Sequence, residues 1–245
     1  MTKTVYHYLN ARYALDDIVH GRLKVSLIGE VNDDQELLAA NFADFSDEEN
    51  DKLVRNFKQT TGIMCFSADQ NNKVCWERYG DCGRGICLAF GVYAEHLAQV
   101  CYVDEAKTIR FPSSLLGTFL TEALTVEVAN ALHPYVIQKY TTKYKRTWCP
   151  KKSDWNVWWP ENEWRAFPRL DEDSRTAENL YLSDDWRENQ MKLTRVTLGP
   201  FCSVPVTDIR DALKSHYRRH PYGEVKIEVA KPSEVKAPST EVIIC

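Results

Sequence analysis

The sequence predicts an α+β fold with a mixed, mainly antiparallel sheet and flanking helices. A single domain is expected over residues 1–230, followed by a flexible tail at 231–245. Three observations carry that expectation. Apolar runs of strand length recur along the chain, as in "TVYHYL" (4–9), "GIMCFS" (62–67) and "RGICLAFG" (84–91). Stretches with helical spacing fall between them irregularly, without βαβ alternation. No internal repeat, low-complexity tract or linker breaks the order before the Pro/Ser-rich "KPSEVKAPST", whose composition suits a mobile terminus.

In chain order, strand 4–9 runs into "NARYALDDIVHG", where Asn10 is placed to cap a helix and Gly21 to stop it. "RLKVSL" follows as a second strand. From Gly29 to Asn50 the polar loop "EVNDDQE" leads to short helices through Phe57. After strand 62–67, "NKVCWERYGD" fits one or two helical turns ending near Gly80–Gly83. Strands follow at 84–91 and 99–104. The longest helical signal is 113–146, where Leu116, Phe119, Leu120, Leu124 and Val128 recur at helical intervals. His133-Pro134 breaks or kinks it, since proline restricts the residue before it. The remaining strands are 162–167, 194–198 and 225–229, with a helix at 207–217.

Composition excludes several classes. Apolar residues are 44% and charged residues 27% of the 245, an ordinary soluble globular balance. The sequence contains no apolar run long enough to span a bilayer and no basic leader, so no membrane segment or signal peptide is expected. The eight cysteines show no CxxC spacing and no Cys/His cluster, and Cys65, Cys87 and Cys101 fall in apolar runs. Free thiols in a reducing cytoplasm, with no metal, are the expectation. The net charge of −4 gives no global pull toward nucleic acid. Its distribution is uneven: nine acids and no base lie between Lys24 and Lys52, and six bases and no acid between Glu127 and Asp154.

Four constellations carry chemistry, each with a plain alternative. In "WWPENEWRAF" (158–167), strand alternation puts Glu161, Glu163 and Arg165 on one face and Trp164 on the other. A tuned carboxylate there can orient a ribose hydroxyl or stabilise a developing cation; alternatively the triplet is an ion-pair network. Tyr6-His7-Tyr8 can offer a hydrogen bond and aromatic stacking, or simply pack as strand residues. In 65–90, Ser67 ends an apolar strand, and Trp76 and Tyr79 share a helical face, as a ligand platform or as core. Gly80, Gly83 and Gly85 form neither a dinucleotide fingerprint nor a phosphate loop. In "QKYTTKYKRTWCPKK" (138–152), a helix would stripe Tyr140, Tyr144 and Trp148 beside Lys139, Lys143 and Arg146. That arrangement suits single-stranded nucleic acid, or else a solvated amphipathic face.

Together these stretches resemble a widespread bacterial family catalogued as a domain of unknown function, number 2971 in its series. The pieces that carry the resemblance are "YHYLNARYALDDIVHGRLKVS", "MCFSADQNNKVCWERYGDCGRGICLAF", the W-P-E-N-E-W-R run and "LTRVTLG", spread in order over most of residues 5–215. The chain departs at "VNDDQE", where the family usually has an aromatic-Asn-Asp-Pro-Phe-Glu run, and at His7, where many members have lysine. A second resemblance is to the ADP-ribosyltransferase fold. It implies that His7 and Ser67 hold NAD, that Glu163, with Glu161 before it, engages the nicotinamide ribose, and that Tyr8, Trp76 and Tyr79 stack the nicotinamide. Arg165 would support that site structurally.

The resulting expectation is a cytoplasmic enzyme, bacterial or phage-borne, that uses NAD as substrate and transfers ADP-ribose to a protein or nucleic-acid acceptor in defence or toxicity. Two alternatives stand beside it. One is a nucleic-acid-interacting protein, nucleolytic or without catalysis, that uses 139–152. The other is a protein–protein module whose acidic 29–51 segment meets a basic partner.

Overall fold

The computed structural model describes residues 1–31, 40–42, 46–60, 62–103, 107–109, 138–140, 161–168, 180–183, 191–217 and 225–235. The fold is mixed α and β, with a mainly antiparallel open sheet and few helices. The strands are β1 (Thr2–Leu9), β2 (Arg22–Leu27), β3 (Ala40–Phe42), β4 (Gly62–Ser67), β5 (Ile86–Tyr93), β6 (Ala98–Gln99) and β7 (Cys101–Val103). They continue with β8 (Lys107–Ile109), β9 (Gln138–Tyr140), β10 (Glu163–Ala166), β11 (Leu180–Ser183), β12 (Met191–Leu198) and β13 (Lys226–Val229). The helices are α1 (Ala11–His20), α2 (Asp47–Thr60), α3 (Lys73–Arg78) and α4 (Val206–Tyr217).

Two compact units share the chain. One comprises Met1–Leu23, Phe66–Tyr93 and Ser183–Cys245; the other comprises Lys24–Cys65 and Ala94–Leu182. Each is assembled from segments distant in sequence, so no linker composition marks the division that a single-domain reading of 1–230 passes over.

In the first unit, β1 pairs antiparallel with β5 from Thr2↔Tyr93 to Leu9↔Ile86, and its Tyr6 stands opposite Ser67. β12 pairs antiparallel with β5, and β13 runs parallel to β12. Alternation sorts the side chains. Val5, Phe90, Leu88 and Val196 share one face and are buried. Tyr8 and Cys87 share the other, where Trp76, Cys75, Ala230 and Val235 complete an apolar cluster with Tyr6 and Tyr79 against it. α1 begins as expected: the Asn10 side chain accepts from Arg12 N at 3.0 Å, and Gly21 ends the helix with φ 58°. α1 packs against α4 and β5. Gly85 permits a close approach, since a Cβ there would lie 2.2 Å from Leu9 O. The glycines of 80–85 thus serve packing. One expectation is corrected here. Residues 231–235 are not a free tail, because Val235 is 3% exposed within the cluster.

In the second unit, β2 pairs antiparallel with β4 through Ser26↔Ile63 and Leu27↔Gly62, and β10 with β6 through Trp164↔Gln99 and Arg165↔Ala98. Two further ladders are parallel, β3 with β8 and β7 with β9. Gln138–Tyr140 therefore corrects the helix expected over 113–146. Its backbone groups pair with Cys101–Val103, and a partner so far away in sequence leaves no local trace. Residues 113–137 and 141–146 lie outside the described set.

Candidate functional site

The carboxylates nominated by the sequence lie in the second unit. β10 is extended as expected, and Glu163 and Arg165 share a face: Arg165 Nε donates to Glu163 Oε1 at 2.7 Å. Their side chains are only 5% and 3% exposed respectively. Glu161, just before the strand, is 3% exposed. Asn162 between the two glutamates has φ 48°, a left-handed conformation that Asn tolerates better than most residues. The strand is anchored by Val100 N donating to Glu163 O at 3.0 Å. Glu163 and Arg165 make a buried ion pair of the sort that functional sites and structural networks both build. Glu161, by contrast, is buried outside the strand, where left-handed Asn162 interrupts the alternation expected to align all three.

His7, Tyr8, Ser67, Trp76 and Tyr79 belong to the first unit. Tyr6, not His7, stands opposite Ser67, so alternation along β1 turns His7 to the other face. The His7 ring indeed lies 5.6 Å from Phe66, the residue before Ser67. Ser67 is buried, and its Oγ accepts from Asp69 N at 3.2 Å and Asn72 Nδ2 at 3.1 Å. The Tyr8 hydroxyl lies 2.6 Å from both Asp69 O and Gln70 O, and accepts from Asn72 N at 3.3 Å. Asn72 caps α3 by accepting from Val74 N and Cys75 N. Trp76 is fully buried, its ring edge-on to Tyr8 with centroids 5.1 Å apart. Tyr8, Ser67 and Trp76 thus hold the 67–72 loop and the core beneath it. Trp76 has no exposed ring face on which a nicotinamide could stack. Tyr79 is half-buried against the same cluster.

Burial pushes the Tyr8 phenol and the Cys87 thiol up, each keeping its proton. Because the folded state holds these protons more tightly than the unfolded chain, their contribution is full below the ordinary thiol value of 9.0 and falls as pH rises above it. Tyr8→Phe removes one donor from two part-buried carbonyls and one acceptor from the buried Asn72 N. We expect it to cost about 1–3 kcal/mol, read as a lower urea midpoint at unchanged m-value. A variant as stable as the wild type would show that the hydroxyl does not hold the loop.

Cys65, Cys75, Cys82, Cys87 and Cys202 are not joined in disulfides. Among the described residues, no group of three or more His, Cys, Asp or Glu could hold a metal ion, and no helix is long and apolar enough to cross a membrane. Apart from the strand Gln138–Tyr140, the basic stretch 139–152 lies outside the described residues, as does most of the acidic segment before α2. Sequence reasoning missed one polar cluster on the first unit, formed by Gln70, Arg195, Thr197 and Glu228. Arg195 Nη1 donates to Gln70 Oε1, and Gln70 Nε2 donates to Thr197 Oγ1 at 3.2 Å and Glu228 Oε2 at 3.5 Å. No local pattern joins residues this far apart. No family model matches the chain, and neither does any curated protein or solved structure.

Proposed function

We propose that this chain is an ADP-ribosyltransferase-like enzyme acting on NAD, with Glu163 as its principal catalytic carboxylate and Glu161 beside it. The observation that carries the reading is the buried Glu163–Arg165 pair at 2.7 Å, with Glu161 two residues earlier and equally buried. The short bond from Arg165 Nε holds Glu163 in one orientation, as a catalytic carboxylate requires. The Glu161-x-Glu163 spacing, which resembles that of the ADP-ribosyltransferase fold, supports the reading. The reading now leaves Tyr8, Ser67 and Trp76 as framework residues.

In the reaction, the bond from ribose C1′ to the pyridinium nitrogen breaks. Its electron pair leaves with nicotinamide, and positive charge passes to the ribosyl carbon and ring oxygen. Ionised Glu163 accepts a hydrogen bond from the ribose 2′-hydroxyl and stabilises that charge. An acceptor lone pair then closes a new bond to C1′, and the acceptor's proton passes to solvent.

Thermal unfolding with NAD tests the binding half of this reading. At 100 times its dissociation constant, NAD should add about 2.7 kcal/mol, or roughly 5–10 °C for a chain of this size. Release of nicotinamide from NAD tests the chemistry. Glu163→Gln should lower turnover per folded molecule on the order of 10²- to 10³-fold. If millimolar NAD leaves the transition unmoved, or if Glu163→Gln turns over normally, the proposal is wrong.

A further inference from the structure

The sheet face that carries Tyr8 and Cys87 also holds a polar arrangement that the NAD reading does not use. Ser67, Tyr6, Ala89 and Arg195 stand in register across four adjacent strands. Cross-strand partners share a face, so Tyr6 and Arg195 flank Ala89. The next partner of β5 on this face is Gly91, where an added Cβ would meet nothing closer than Thr194 Cγ2 at 3.7 Å. A phenol and a guanidinium therefore border a floor of two small residues.

The position of Arg195 is set by a β-bulge. The register shifts between Leu193 and Arg195, and the extra residue, Thr194, is tied down by its hydroxyl donating to Ala89 O at 3.1 Å. Bulges commonly re-aim a side chain beside a site. The Arg195 side chain is 31% exposed. Its Nη1 donates to a neutral acceptor, Gln70 Oε1, and forms a long salt bridge of 3.6 Å with Glu228 Oε2, on a side chain 44% exposed. Among the described residues, nothing accepts from its buried Nε. The Glu228 contact is long and open to solvent, and a buried donor without a partner calls for a physical account.

We infer that this row is a binding site for a small oxyanion, the carboxylate or phosphate group of a ligand, with Arg195 as its cation and Gln70 as the side chain the ligand displaces. The Gln70 amide oxygen stands where a ligand oxygen would sit. The Tyr8 hydroxyl holds the Gln70 backbone carbonyl, so exchange needs movement of the Gln70 side chain alone. Tyr6 supplies a second donor. Burial raises its phenol while the field of Arg195 lowers it, which is consistent with the two groups sharing one site. The inference stands on the first unit alone.

The test titrates the full chain with inorganic phosphate and, separately, with acetate, at constant ionic strength, following backbone amide NMR shifts. Saturable shifts at Tyr6, Gln70, Ala89 and Gly91 are expected, and the tighter-binding anion identifies the group. Arg195→Met should weaken binding by about tenfold or more. Gln70→Ala should tighten it by removing the competing oxygen. Glu228→Gln should also tighten it, and the charge-matched control Asp211→Asn on α4 should not. Shifts that persist in Arg195→Met, equal tightening by Glu228→Gln and Asp211→Asn, or no saturation by either anion in both wild type and Gln70→Ala would each overturn the inference. Should Arg195→Met fail to fold, the two tightening variants decide.

Discussion

Arg165→Met is expected to lower stability by about 3–5 kcal/mol, because it strands the Glu163 carboxylate in a buried position. The pair is 2.7 Å long and almost wholly enclosed, and Glu161 adds a second buried carboxylate two residues away. For a chain of this length the loss corresponds to roughly 6–20 °C in Tm. Glu163→Gln also costs stability, since it leaves the guanidinium facing a neutral amide. The double variant removes both charges and should recover much of the loss, giving a favourable coupling energy in the mutant cycle. A single Arg165→Met variant within about 0.5 kcal/mol of the wild type, the range of an ordinary surface substitution, would mean that the pair is not buried in solution. Turnover per folded molecule separates the two roles: it should collapse in Glu163→Gln, while any loss in Arg165→Met should be partly rescued by Arg165→Lys, which keeps the charge.

Trp76→Ala should be comparably damaging, at about 3–5 kcal/mol. The ring is fully enclosed, stands edge-on to Tyr8, and lies so close to Gly80 that a Cβ there would come within 2.6 Å of Trp76 Cε3. Truncation therefore opens a cavity under the 67–72 loop. Chemical denaturation followed by far-UV and near-UV signals together measures it. If the variant unfolds like the wild type but no longer responds to NAD, Trp76 is a ligand platform and the core assignment fails.

Much of this molecule was legible along the chain. Apolar alternation and cap residues predict β1, and α1 with Asn10 and Gly21 at its ends. They also predict β2, β4, β10 and α4, because these signals are local: period, capping chemistry and stop residues lie within one turn or one strand of what they specify. The shared face of Glu163 and Arg165 follows from the same period of two, but the expected third member, Glu161, lies before the strand, where left-handed Asn162 breaks that period.

Choices between distant partners were not legible. Whether Tyr6 or His7 faces Ser67 depends on a strand register that a one-residue slip would reverse. Trp76 becomes core because β1, β5 and Val235 close around it, contributions from three separate stretches of chain. Gln70 meets Arg195 across 125 residues, and Gln138–Tyr140 is a strand because β7 is there to pair with it. Period and capping are written into neighbouring residues. Register, burial and the company a charge keeps are properties of contacts between segments, and come into being when those segments pack.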